Sequence, residues 1–123
     1  MEAATSSWQD LFARLASFAS LTNGWNSYAA PAPNAEAIAI TRTYLTVLQR
    51  EQYAPTRIAP SAMGGIGVTH RAGGRKVYVE FYNSGATHAL FSAGKEGMET
   101  RQVCTDPKGF QQLVQDIRNY LDG

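Results

Sequence analysis

The sequence predicts an α+β fold: an antiparallel β-meander of four to five strands, two helices before it and one after it, all three helices packed on one face. Apolar residues recur at helical spacing early in the chain and again at its end, whereas the middle alternates with a period of two. Short turns join the alternating segments, so consecutive strands must run antiparallel. Helices gathered at the two ends of the chain then cover one face of the sheet, the arrangement of an α+β domain.

Residues 7–20 read as the first helix, with Leu11, Phe12, Leu15 and Ala19 on one stripe and Trp8 and Phe18 beside it. Ser6 and Gln9 have the spacing of a capping box, in which hydroxyl and amide satisfy free backbone donors. Asn23-Gly24 supplies a stop, because both residues tolerate the left-handed conformation. Pro31 and Pro33 forbid helix, and Asn34 is placed to cap a second helix running to about Arg50. Its buried face is Ile38, Thr41, Leu45 and Leu48, widened by Ala37, Tyr44 and Val47.

The segment "APTRIAPSAMGG" reads as a loop with a short extended piece around Arg57 to Ala59. Strands follow in "IGVTHR", "RKVYVEFY", "THALFS" and about Glu99 to Cys104, with "AGG" and "NSG" as hairpin turns. Asp106-Pro107 opens the last helix, with the aspartate as cap and the proline at the first helical position. Phe110, Leu113, Val114, Ile117 and Leu121 then form one apolar face.

At 123 residues, 44% of them hydrophobic, the chain is expected to be a single domain over residues 1–123 that folds without metal or disulfide. The lone Cys104 excludes an internal disulfide and fits a reducing compartment. The opening "MEAATSSWQD" lacks the basic-then-apolar pattern of a secretory leader, and apolar runs stop short of the ~20 residues of a membrane span. The expectation is a cytoplasmic protein with no membrane contact.

A net charge of +1 argues against a dedicated nucleic-acid binder. The distribution is more informative, because no acid lies between Glu51 and Glu80 while Arg57, Arg71, Arg75 and Lys76 all do. These cations either keep hairpin edges soluble or meet an acidic partner or a phosphate. On the segment 75–82, Val77, Val79 and Phe81 share one face and Lys76, Tyr78, Glu80 and Tyr82 the other, which Thr69 and Arg71 continue. Burial of the first set leaves a polar-aromatic stripe in water. That stripe serves either cross-strand pairing or a partner, for which tyrosine and arginine are the enriched side chains. The candidate partner-binding residues are Arg71, Arg75, Lys76, Tyr78, Glu80 and Tyr82.

His70, His88 and Cys104 have no metal-ligand spacing, so neither a metal nor a cofactor is expected. "MGGIGVTH" matches no nucleotide-binding loop and enters a strand instead of opening a helix. Ser84 has no nucleophile elbow, and Cys104 no helix terminus to lower its pKa. No catalytic constellation stands out, and the chain is expected not to be an enzyme.

The block "GWNSYAAPAPNAEAI" followed by "GGIGVTHRAGGRKVYVEF" resembles a group of small bacterial and phage proteins. These carry Gly-Trp-Asp-x-Tyr-Gly-Ala, prolines and a helix, then Asp-Gly-Gly, a strand, a Gly-Gly turn and a strand. The likeness spans roughly residues 20–92, and Asn26, Ala29, Met63 and His70 depart from it. The resemblance implies an accessory protein without catalysis, such as an antitoxin or a phage inhibitor of bacterial immunity of the anti-CRISPR kind. It transfers no catalytic residue. It implies that Trp25 and Tyr28 are structural anchors, the indole filling the gap between the first two helices and the sheet, with Asn26 and Ser27 bracing the turn. The expected activity is binding and inhibiting another macromolecule, a protein first. The alternative is a module that binds a small ligand or nucleic-acid phosphate, and the third reading is a small enzyme with no recognisable motif.

Overall fold

Helix α1 (Glu2–Ser17) runs into a single 3-10 turn (Phe18–Ser20) and is followed by α2 (Ala35–Arg50). Five strands come next: β1 (Arg57–Pro60), β2 (Gly65–Ala72), β3 (Arg75–Tyr82), β4 (Thr87–Ser92) and β5 (Met98–Gln102). Helix α3 (Pro107–Asp122) closes the chain. The computed structural model describes residues 2–26, 30–94 and 97–122, with side chains from Trp8 onward. The strands pair antiparallel in sequence order, as a meander, and the α+β class is as expected.

Two boundaries differ from the sequence reading. Helix α1 begins at Glu2, so Ser6 lies inside it and cannot be its N-cap. The cause is the run Glu2-Ala3-Ala4, strong helix formers that extend the helix toward the chain end. Strand β5 covers Met98–Gln102, shifted toward the preceding turn. The caps of the other two helices form as expected. Asn34 Oδ1 accepts from Ala37 N at 2.9 Å, and Asp106 Oδ1 accepts from Gly109 N at 2.7 Å.

Alternation along each strand sends one set of side chains under the helices. Ile58, Ile66, Val68, His70, Val77, Val79, Phe81, Thr87, Ala89 and Phe91 are all buried there. Helices α2 and α3 lie over β2 and β3, while α1 packs on α2 and toward β1. At the centre Tyr44 of α2, Phe81 of β3 and Phe110 of α3 meet with ring centroids 5.1–6.0 Å apart.

Two local devices hold the sheet to the helices. Gly65 has φ +123°, and a Cβ there would sit 2.0 Å from the Phe81 carbonyl oxygen, so the hairpin register requires glycine. Asn34 and Asn83 clamp each other. Asn34 N donates to Asn83 Oδ1 at 2.8 Å, Asn34 Nδ2 to Asn83 O at 2.9 Å, and Asn83 Nδ2 to Ala32 O at 2.9 Å. The start of α2 is thereby fixed to the β3–β4 turn.

Candidate functional site

Among the described residues no helix covers the second face of the sheet, and the strand registers order its side chains into rows. One row runs Arg71, Lys76, Ser92, Met98; the next Arg57, Thr69, Tyr78, Leu90, Thr100; a third Ala59, Gly67, Glu80, His88, Gln102. Tyr82 stands beyond the third row, opposite Gly65. Lys76, Tyr78, Glu80 and Tyr82 are half-buried along this face, while Val77, Val79 and Phe81 between them are buried on the other. The faces fall as the alternation predicted.

Tyr78 leans across the sheet from β3 onto β2. A Cβ on Gly67 would lie 2.1 Å from its Oη and 2.5 Å from its Cζ, so the ring occupies the space that glycine leaves empty. The uncovered strand backbone at Gly67 is thereby buried by a cross-strand aromatic. The Ser61 hydroxyl, which acts on the Tyr78 phenol, donates to Glu80. Desolvation first, and then the charge of Glu80, push the Tyr78 phenol above its usual range. Tyr82 is raised for the same reasons in the same order, with a hydrogen bond to Glu80 added. Its ring meets His88 edge-on at 5.4 Å.

Glu80 was proposed from sequence as a partner contact, but its carboxylate is already engaged by the Ser61 hydroxyl, and its charge acts on both tyrosines. Arg71 and Lys76 lie in one outer row, as expected, and Arg57 lies on β1 at the end of the next row. None of these three cations forms an ion pair among the described residues. Arg57, Leu90 and His88 were missed as site residues. The alternation in "THALFS" carried the signal for the last two, but Arg57 could be placed only once β1 was known to pair with β2.

Arg75 is a correction. It shares the parity of Val77 and so points to the helix side, where Nη1 donates to Tyr120 O at 2.6 Å and the guanidinium lies 5.4 Å from the Tyr120 ring. A cation at the last carbonyls of α3 complements the negative end of that helix. Arg75 is thus a helix cap and not part of the open face.

The opening loop also reads differently. Trp25 is half-buried and stands outside the core cluster, with Nε1 donating to Pro31 O at 3.1 Å. Gly24 N to Ala30 O at 2.8 Å, Ala30 N to Asn26 Oδ1 at 3.2 Å and Ala32 N to Asn23 Oδ1 at 3.0 Å close the same loop. The indole staples this loop to itself instead of filling a gap under the sheet. Tyr28 and Ser27 lie outside the described residues.

His70, His88 and Cys104 do not converge. His70 is buried on the helix side, His88 is on the open face and Cys104 is exposed ahead of α3. No group of three metal-ligand side chains is found among the described residues. On the helix side, a shallow groove of about 200 Å³ lies between the end of β5 and α3, lined by Val103, Cys104, Gly109 and Leu113 among others. No helix among the described residues is long and apolar enough to cross a membrane. No protein-family model, curated protein or solved structure matches the chain.

Proposed function

We propose that this protein acts without catalysis, by docking the open face of its sheet onto another protein and blocking that partner sterically. One observation carries the reading: two tyrosines stand on an uncovered sheet face that also bears cations with no ion-pair partner among the described residues. Tyr78 is seated over Gly67, and the Tyr82 ring meets His88 edge-on beside Glu80. Aromatic anchors already held in one rotamer lose little entropy on binding, so more of their contact energy appears as affinity. Arg57, Arg71 and Lys76 at one side of the face would steer an acidic surface toward it. An inhibitor of the antitoxin or anti-CRISPR kind, as the sequence resemblance implies, needs no more than this.

Paired affinity capture from the native host tests the proposal, using the intact protein and the double variant Tyr78→Ala/Lys76→Glu. A protein retained by the first and lost by the second supports the reading. Capture of the same protein by both places the interface elsewhere. If the face instead holds oligonucleotides with an affinity falling steeply with salt, the phosphate-binding alternative replaces it.

A further inference from the structure

We infer that two copies of this chain pair through the free edge of β5, joining their sheets into one across a two-fold axis at Thr100. The two edges of the sheet are built differently. In β1, alternation turns the backbone of Ile58 and Pro60 outward, because Ala59 and Ser61 face β2, the latter through Ser61 N to Gly65 O at 2.9 Å. Proline has no N–H to offer, and Arg14 Nε donates to Ile58 O at 2.9 Å, so that edge is largely closed.

Among the described residues, strand β5 has no such protection. Val103 N donates to Thr87 O at 2.9 Å and Ala93 N to Gly97 O at 3.4 Å, which fixes the phase of its ladder. Residues 97, 99, 101 and 103 therefore turn their backbone toward β4, and Met98, Thr100 and Gln102 turn N–H and C=O outward. The outward set is centred on Thr100. A second β5 laid antiparallel about that residue pairs Thr100 with Thr100 and Met98 with Gln102, satisfying the outward groups of both strands at once.

Charge complementarity selects a second copy as the occupant. In that register Glu99 of each chain stands directly opposite Arg101 of the other, twice over, at the close non-hydrogen-bonded spacing of an antiparallel pair. The "METRQ" segment is thus self-complementary about its middle. Within one chain Glu99 is mostly exposed and only 3.5 Å from Arg101, which Asp116 holds in place at 2.9 Å. The guanidinium rests 4.4 Å from the Phe91 ring of β4, on the same helix-side face of the sheet as the second copy's Glu99 in that register. An isologous contact of this kind closes on itself and leaves no edge to propagate.

Sedimentation velocity of the full chain from micromolar to about 1 mM reads the outcome directly. The wild type is expected to dimerise. Thr100→Pro, which removes the central outward N–H, and Glu99→Arg, which sets like charges opposite each other, should each weaken it at least about tenfold. Arg101→Glu should be equally weak alone, yet an equimolar mixture of E99R and R101E should recover a heterodimer. Circular dichroism checks the fold of each variant, and if T100P unfolds, the exposed Glu99 position and the mixing experiment decide. A wild type that stays monomeric throughout overturns the inference. So does a dimer indifferent to E99R, or a mixture no tighter than its components.

Discussion

His70 is expected to make the fold sensitive to mild acid. Its ring is 2% exposed, its Nε2 is 2.9 Å from the Tyr44 hydroxyl, and it stacks on Tyr53 at 5.6 Å. Nδ1 has no hydrogen-bond partner among the described residues, so an imidazolium there would carry a buried N–H that none of them accepts. Desolvation lowers the His70 pKa from 6.5 to about 4. The unfolded chain therefore binds a proton that the folded chain refuses between those two values. Stability from this group is complete above about pH 6.5 and is lost as pH falls to about 4, below which the loss is constant. A difference of roughly 2.5 units at 1.36 kcal/mol each amounts to about 3 kcal/mol, a large share of the stability of a domain this size. Urea titrations across that window check it, comparing the wild type with the double variant His70→Phe/Tyr44→Phe. The second change avoids stranding the Tyr44 hydroxyl, whose own pKa burial pushes up. The wild type should lose about 3 kcal/mol more than the variant between neutral pH and pH 4. Parallel stability curves, or an imidazole NMR titration centred near the ordinary histidine value, would refute the reasoning.

Three further substitutions probe the frame that presents the open face, each read by thermal denaturation. Gly65→Ala should cost about 3 kcal/mol, from positive φ and a Cβ 2.0 Å from a backbone oxygen, while Gly74→Ala, with nothing within 4 Å, should be nearly silent. Asn83→Ala removes two hydrogen bonds of the Asn34 clamp and should cost about 2 kcal/mol; an additive double variant with Asn34→Ala would show that the two do not act together. Trp25→Ala should cost only about 1–2 kcal/mol, since the indole is half-buried and closes one loop, and a loss above about 4 kcal/mol would return it to the core.

Periodicity made most of the architecture legible. The run 75–82 alternates without interruption, and Gly73 and Gly85 in its flanking turns both adopt positive φ, so strand, face and hairpins could be read together. The same alternation already placed Arg75 beside Val77. Grouping it with its basic neighbours by charge, against its parity, produced the error. What stayed hidden depends on contacts between segments far apart in the chain. Ser61 reaches Glu80 across 19 residues and Asn34 reaches Asn83 across 49, and neither pairing leaves a mark at short spacing. The seat of Tyr78 over Gly67 is a diagonal relation between strands, which only the β2–β3 register reveals. Trp25 misled because a tryptophan between a helix stop and two prolines suits a loop staple as well as a core anchor.

The central claim is that the open sheet face is the binding surface. Surface plasmon resonance on a captured partner, comparing the wild type with Tyr78→Ala and with Arg71→Glu/Lys76→Glu, tests it most directly. Tyr78→Ala should weaken binding by about 1–3 kcal/mol through faster dissociation, while circular dichroism shows the sheet intact. The charge-reversed pair should instead slow association and flatten its dependence on salt. Affinity and association rate unchanged in every one of these variants would contradict the account and move the interface to the helices or the Trp25 loop.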